Sequence, residues 1–358
     1  MNHIQAVREQ LETRQLDAML LTHQANRFYV TGFPSSGTDG AALVTRSAAY
    51  YFTDSRYTEA AGKRLSGLFT MGTVTAKRGY EVLFNEVIAS ENLRRVGFED
   101  AYMTVAGYRK YKEKLNCELV AASDMLKELR QVKDADEIQA LTEAQRIAEK
   151  ALREIYNDLR PGAVEREIAA KLQYLMLLYG AEDKSFDPIV VSGPNGSLPH
   201  GVPTDRAMQS GEFVTMDFGC IYRGYCSDMT RTVAIGYVTD EMRRVYDTVL
   251  SAQRAGIRTA KAGVTGKAVD AAARDVIAAA GYGEYFAHSF GHGVGVEIHE
   301  SPNASSVNDK PLPCGAVISA EPGIYIPGKL GVRIEDVIVI TDTGNRNLMN
   351  APKELMIL

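Results

Sequence analysis

The chain has 358 residues, 45% hydrophobic and 24% charged, with a formal net charge of −5. That is enough chain for two domains with sizeable cores, at the composition of an ordinary globular protein. The mild acidity gives no basic footprint for nucleic acid, and no apolar run reaches the roughly 18 residues of a membrane span. Four cysteines (Cys117, Cys220, Cys226, Cys314) lack CxxC spacing, so neither a zinc knuckle nor a disulfide framework is expected, and a reducing cytoplasm is the expected compartment.

Residues 4–15 carry Ile4, Val7 and Leu11 at helical spacing, and this polar amphipathic segment is no signal peptide. LDAMLLT reads as a buried strand. GAALVTRSAAYYFTDSRYTEAA then reads as strand, turn, strand, helix. KRGYEVLFNEVIAS predicts a helix, RRVGFED a strand, Val105–Leu115 a helix and CELVAAS a strand. Strands and helices alternating over this stretch predict a small α/β domain of residues 1–130. Asp54-Ser55-Arg56 is expected to form a surface ion pair at a strand end, and His23 to be structural. The boundary falls inside the charged helical segment SDMLKELRQVKDADEIQAL, as a short ordered connection.

Residues 131–358 run twice through one plan. Helices Asp136–Leu159 and Val164–Tyr179 stop at Gly162 and Gly180, and the strand signals FDPIVVSG, EFVTMDFG and YCSDMTRTVAIG follow. Helices Asp240–Lys261 and Gly266–Ala280 stop at Gly263 and Gly281, and VGVEIHE, AVISAEPGIYI and GVRIEDVIVI follow. The expected architecture is α+β and pseudo-symmetric: an antiparallel sheet with helices on one face.

Each half carries an acidic hairpin. Folding the last one about Gly328 brings Glu321 opposite Glu335. A two-residue turn at Tyr222-Arg223 brings Asp217 opposite Asp228. Directly opposed side chains sit about 4.5–5.5 Å apart at Cβ, where like charges repel, so each pair needs a proton, a cation or water. Three of the six histidines fall in HSFGHGVGVEIHE: His288, His292 and His299. Glycines around His292 imply tight backbone beside a ligand. His292 is therefore the candidate metal ligand, with His288 and His299 as supporting donors or substrate contacts. Four carboxylates and one imidazole carry too much negative charge for one divalent ion but suit two ions about 3.5–4 Å apart. Oxygen-rich ligation favours Mn or another hard divalent ion. Arg333, two residues before Glu335, faces the same way and can orient a carboxylate. A purely structural pair of ions is the alternative, and the extra histidines weigh against it.

GEFVTMDFG…SDMTRT, GHGVGVEIHE, SAEPGIYI and GVRIED together resemble the pita-bread metallopeptidases, in particular the Xaa-Pro peptidases (aminopeptidase P and prolidase). The resemblance covers nearly all of residues 131–358; FTDSRY extends it less specifically to the N-terminal domain. It implies Asp217, Asp228, His292, Glu321 and Glu335 as ligands of two divalent ions, with Asp228 and Glu335 bridging. Mn is the expected metal, with Co or Zn as alternatives. It also implies His200, His288 and His299 as active-site histidines, Glu321 with a second role in proton transfer, Tyr325 and Arg333 supporting them, proline-containing peptides as substrates, and a homodimer.

Methionine aminopeptidases share the ligand set but not an N-terminal domain of this kind. Creatinase-like enzymes and non-catalytic binding modules lose ligands that are all present here. Many family members read HE-x-P-R after the second histidine, where the arginine can bind a dipeptide's carboxylate. This chain reads His299-Glu300-Ser301-Pro302-Asn303, which tilts the expectation towards an aminopeptidase on longer peptides, with a dipeptidase as the alternative.

Overall fold

Packing divides the chain into a unit ending at Arg130 and a unit beginning at Gln131. The structure is a computed structural model and describes residues 3–37 and 39–358.

In the first unit, helices α1 (His3–Thr13), α2 (Gln24–Thr31), α3 (Thr58–Leu65), α4 (Tyr80–Ser90), α5 (Val105–Lys114) and α6 (Ser123–Gln131) accompany one mixed six-stranded sheet. Its strands are β1 (Ala18–Leu21), β2 (Ala41–Thr45), β3 (Ala49–Thr53), β4 (Thr70–Thr73), β5 (Arg95–Phe98) and β6 (Glu118–Ala121), in the order β4-β3-β2-β1-β5-β6. The apolar stripe Ile4, Val7, Leu11 is buried, as its spacing requires. α2 and β4 are not legible in the sequence: α2 buries Asn26, Arg27 and Thr31 alongside its apolar residues, so it shows no clean period. Arg56 pairs with Asp54 at 2.6 Å and with Asp39 at 2.7 Å on the surface, the expected strand-end ion pair.

The second unit is built from two helix pairs and antiparallel strands. α7 (Ala135–Ile155) and α8 (Glu165–Leu178) pack on β8 (Ile189–Ser192), β9 (Glu212–Phe218) and β12 (Met229–Ile235); β7 (Asp183–Lys184), β10 (Cys220–Tyr222) and β11 (Tyr225–Cys226) form a small neighbouring sheet. α9 (Asp240–Thr259) and α10 (Gly266–Ala279) pack on the second half. That half holds β13 (Gly291–Gly293), β14 (Glu300–Ala304), β15 (Val317–Ala320), β18 (Asp336–Ile340) and β19 (Asn345–Asn347), with the two-stranded pair β16 (Gly323–Ile326) and β17 (Leu330–Arg333). This is the pseudo-symmetric pita-bread arrangement, with helices against an antiparallel sheet.

Local chemistry sets the helix ends. α7 begins with a capping box: the Asp134 carboxylate accepts from the Asp136 and Glu137 amides, and Glu137 returns a bond to the Asp134 amide. Thr239 and Thr265 cap α9 and α10 by accepting from Met242 N and Ala268 N. Such caps contribute about 1 kcal/mol each. Fully buried side chains stabilise the unit more, among them Leu152, Leu172 and Met216 in one half and Val249, Ile277 and Ile338 in the other. Each contributes roughly 1.5–3 kcal/mol of apolar burial.

VGVEIHE is not a strand. Pairing stops after Gly293, where Gly295 N bonds Glu297 O and Gly295 O accepts from Cys226 N, and it resumes at Glu300. A Cβ on Gly295 would lie 2.1 Å from Glu300 Oε1, so the run packs as a bend closed against that carboxylate.

Candidate metal centre

β9 and β12 carry the first acidic pair. Their register pairs Asp217 with Thr230 rather than with Asp228. The turn is Arg223-Gly224, with φ of 48° and 74°, one residue beyond the Tyr222-Arg223 turn expected from the sequence. The register therefore shifts by two residues. Side chains alternate with period two, so Asp228 stays on the face of Asp217 as a diagonal neighbour.

The second hairpin keeps the register centred on Gly328, which has φ of 66°; Gly323 pairs with Arg333 and Ala320 with Asp336. Between those pairs the ladder opens. Glu321 N donates to Phe290 O at 2.8 Å, and Glu335 N donates to Thr230 O at 3.1 Å. The two glutamates leave each other's strand for neighbouring ones, and Glu335 is thereby tied to the first hairpin. Thr230 Oγ1 also donates to Glu335 Oε2 at 2.8 Å.

His292 sits in β13 between two glycines. A Cβ on Gly291 would lie 2.0 Å from Ser319 O, and one on Gly293 would lie 2.6 Å from Glu300 O. Neighbouring strands, not a ligand, demand these glycines. His292 Nδ1 lies 3.1 Å from Gly293 O, which can only accept, so Nδ1 carries a proton and Nε2 faces the carboxylates. Nε2 is 3.2 Å from Glu321 Oε1 and 3.5 Å from Asp228 Oδ2. Ser319 Oγ fixes both ends, accepting from His292 N at 2.9 Å and donating to Glu321 Oε1 at 3.0 Å.

Arg333, only 3% exposed, donates to Asp217 Oδ2 at 2.6 Å, Tyr325 Oη at 2.8 Å, Thr230 Oγ1 at 3.1 Å and Pro199 O at 3.2 Å. It orients the carboxylate of the other hairpin. Tyr325 Oη in turn lies 2.9 Å from His288 Nε2, while His288 Nδ1 donates to Ser289 O at 2.9 Å. Burial pulls the His288 pKa down and so favours the neutral imidazole, with Nε2 accepting from the tyrosine. Thr230 and Ser319 escape a reading by motif, although Thr230 stands in SDMTRT and Ser319 in SAEPG.

The charges do not balance within the protein. Burial, then the charge of Asp217, pushes Asp228 well above the carboxylate range; burial, then Asp228, does the same to Glu335. Burial also raises Asp217 against the pull of Arg333. Burial opposes ionisation of Glu321, but its hydrogen bond to His292 prevails and holds it at about 2; the same contact raises His292 to about 9 against its burial. Asp217 Oδ1 and Glu335 Oε1 are buried without a hydrogen-bond partner, although the second oxygen of each is held. Ligand atoms of Asp228, His292 and Glu335 lie within 4.8 Å of one another. Oriented carboxylates, two of them with an unpartnered oxygen, and an imidazole whose Nε2 faces them fit divalent cations.

These residues line a cavity of about 640 Å³. His299 lies over His292, its ring centroid 4.2 Å away at 68°. His200 reaches the cavity from an exposed loop, and Phe186, Ile189, Val202 and Ile298 give one wall an apolar character. The metal-ligand and catalytic candidates singled out from the sequence thus all converge on one cavity.

Fold and site together define a pita-bread metallopeptidase. The chain belongs to metallopeptidase family M24, which residues 139–342 match, and residues 3–132 match the creatinase/prolidase N-terminal domain. It is 37% identical to the Xaa-Pro dipeptidase of Pyrococcus horikoshii over 99% of this chain and 98% of that one. Among solved structures, an Xaa-Pro dipeptidase from Bacillus anthracis superposes with a TM-score of 0.93 at 40% identity, covering 99% of both chains. An X-Pro aminopeptidase from Thermotoga maritima gives 0.93 at 35% identity over the full length of both. The chain is accordingly an M24 metallopeptidase whose similar relatives and solved structures carry the names Xaa-Pro dipeptidase and X-Pro aminopeptidase.

Proposed function

We propose that this protein is an Xaa-Pro dipeptidase, a prolidase, with an N-terminal domain of residues 1–130 and a catalytic domain of residues 131–358. The observation that carries the reading is the convergence of Asp217, Asp228, His292, Glu321 and Glu335 on one cavity, in a chain whose similar relatives include several Xaa-Pro dipeptidases. Those five residues would hold two divalent ions, Mn by the hardness of the oxygen donors, with Asp228 and Glu335 shared between them. Bound there, the ions would activate water and polarise the scissile carbonyl.

The rest is the work of the chain. Arg333 and Thr230 fix Asp217 and Glu335; Ser319 fixes His292 and Glu321. His200 and His299 donate to the carbonyl oxygen as it gains charge. Glu321 Oε1, already aligned by Ser319, takes the proton from water and delivers it to the proline nitrogen. His288, backed by Tyr325, contacts the substrate, and the apolar wall receives the proline ring.

A second reading, an aminopeptidase on longer peptides, has one observation in its favour. Asn303 occupies the cavity wall where an arginine would meet a dipeptide's carboxylate. The deciding experiment is cleavage of Ala-Pro and Ala-Pro-Ala-Ala by metal-stripped protein with Mn restored. Faster cleavage of the dipeptide supports the prolidase; faster release of alanine from the tetrapeptide supports the aminopeptidase. No Mn-dependent cleavage of either overturns both. We further propose a homodimer, to be checked by light scattering, and a cytoplasmic location, supported by four free cysteines.

A further inference from the structure

We infer that Glu165, the first residue of α8, is a positioning residue for His200, acting as the clasp at the base of the loop that carries it. The inference rests on the proposed role of His200 at the scissile carbonyl. Glu165 is 0% exposed and lies outside the cavity wall. Its carboxylate gathers both ends of residues 193–203. At the start of the loop, Oε1 accepts from Ser192 N at 2.7 Å and Ser192 Oγ at 2.8 Å. At its end, Oε2 accepts from Thr204 N at 3.1 Å and Thr204 Oγ1 at 2.7 Å. Asn195 Nδ2 spans the two oxygens at 3.3 and 3.1 Å.

Only a carboxylate suits this place. It accepts on both oxygens, whereas an amide would turn a donor towards donors at one end. Main-chain bonds put Glu165 there: Glu165 N donates to Arg206 O, Arg166 N to Thr204 O and Met208 N to Ala163 O. The segment before α8 thus runs along the segment after the loop.

Beyond the clasp, residues Gly193–Ser197 form a short 3-10 turn that packs on β17 and β9, and the segment makes few polar contacts with the second hairpin. Gly328 N donates to Ser197 Oγ at 3.1 Å, and Pro199 O accepts from Arg333 at 3.2 Å. A Cβ on Gly331 would fall 1.8 Å from Gly196 O, so the two backbones are in direct contact. Leu198 and Val202, either side of His200, are 57% and 77% exposed and anchor nothing in the core. The side chains beside His200 do not hold it in the core, so its position is set by the clasp together with the backbone packing of residues 193–201, where a Cβ on Gly201 would lie 2.7 Å from the Val191 side chain.

The test compares Glu165→Gln and Thr204→Val, the latter isosteric and placed to keep the question open should the buried glutamine variant fail to fold. Metal content, kcat and KM on Ala-Pro and Ala-Pro-Ala-Ala, and hydrogen–deuterium exchange of the peptide covering 193–203 are measured, each variant also in a His200→Ala background. Glu165→Gln is expected to lower kcat about 10- to 100-fold, as a displaced catalytic group does, with KM and metal content little changed and exchange of 193–203 accelerated. Thr204→Val follows in the same direction by a smaller factor. Once His200 is alanine, either variant should cost less than about twofold more. An equal loss with and without His200, or a loop whose exchange does not change, overturns the inference. Should the wild type cleave neither peptide, the peptidase reading fails and the exchange measurement alone decides whether Glu165 holds the loop.

Discussion

Arg333 Nη2 and Asp217 Oδ2 stand 2.6 Å apart and join the two acidic hairpins, one from each half of the pseudo-repeat. Four of the arginine's five N–H donors are engaged, the other three bonds running to Tyr325, Thr230 and Pro199. A lysine keeps the charge but not the fork. Arg333→Lys is expected to lower kcat/KM about 10- to 100-fold and to weaken metal retention, because Asp217 loses its orientation. Steady-state kinetics with metal analysis checks this; unchanged values for both would remove Arg333 from the site.

Without metal, stability should fall as pH rises. His292, opposed by burial but raised by Glu321, sits at about 9 against an ordinary 6.5. A base raised on folding contributes fully below 6.5 and loses its contribution as pH rises through about 9. Asp228 and Glu335, pushed up by burial and by neighbouring carboxylates, act in the same direction, since they keep protons the unfolded chain releases. The Tm of chelator-treated protein should therefore drop between pH 6.5 and 9, and that of Mn-loaded protein should be higher and flatter. Scanning calorimetry of both forms is the measurement, and a metal-free Tm that rises over this interval contradicts the assignment.

Asn303 offers a change of specificity. Placing an arginine there supplies a cation at the cavity wall. Asn303→Arg is expected to lower KM for Ala-Pro about tenfold, the effect of about 1.4 kcal/mol, with little gain on Ala-Pro-Ala-Ala. Equal change on both peptides would mean that position 303 does not meet the dipeptide's carboxylate.

Lys133 and Glu300 form a buried pair at 2.6 Å, with side chains 1% and 7% exposed, one residue from His299. Removing the lysine takes a counter-ion away from a buried carboxylate. Lys133→Met should destabilise the protein by about 3–5 kcal/mol, with Lys133→Met/Glu300→Gln recovering part of the loss. Urea unfolding reads both; a double variant no more stable than the single one refutes the pairing.

Much of this centre is legible in the sequence because β periodicity and glycine turns are local. Gly328 fixes the second hairpin's register, and the parity of the first survives a misplaced turn. What is not legible is where the ladders stop. AVISAEPGIYI and GVRIEDVIVI read as unbroken strands, yet pairing lapses at Glu321 and Glu335, where main-chain amides turn to Phe290 and Thr230. Those are long-range choices, made by partners far away in the chain. Glu165 is hidden for the same reason: a glutamate at a helix start reads as surface charge until the loop it holds is seen.

The turn at Arg223-Gly224 bears on how such a centre can change through descent or design. Lengthening that hairpin by an even number of residues would leave Asp217 and Asp228 on a common face. A single residue added within either strand, and not absorbed as a bulge, would turn one of them to the other face and dismantle half of the carboxylate set. The strand between that turn and each aspartate is thus constrained by oddness and evenness more than by size, and single insertions in functional relatives should sit in the turn itself or form a bulge.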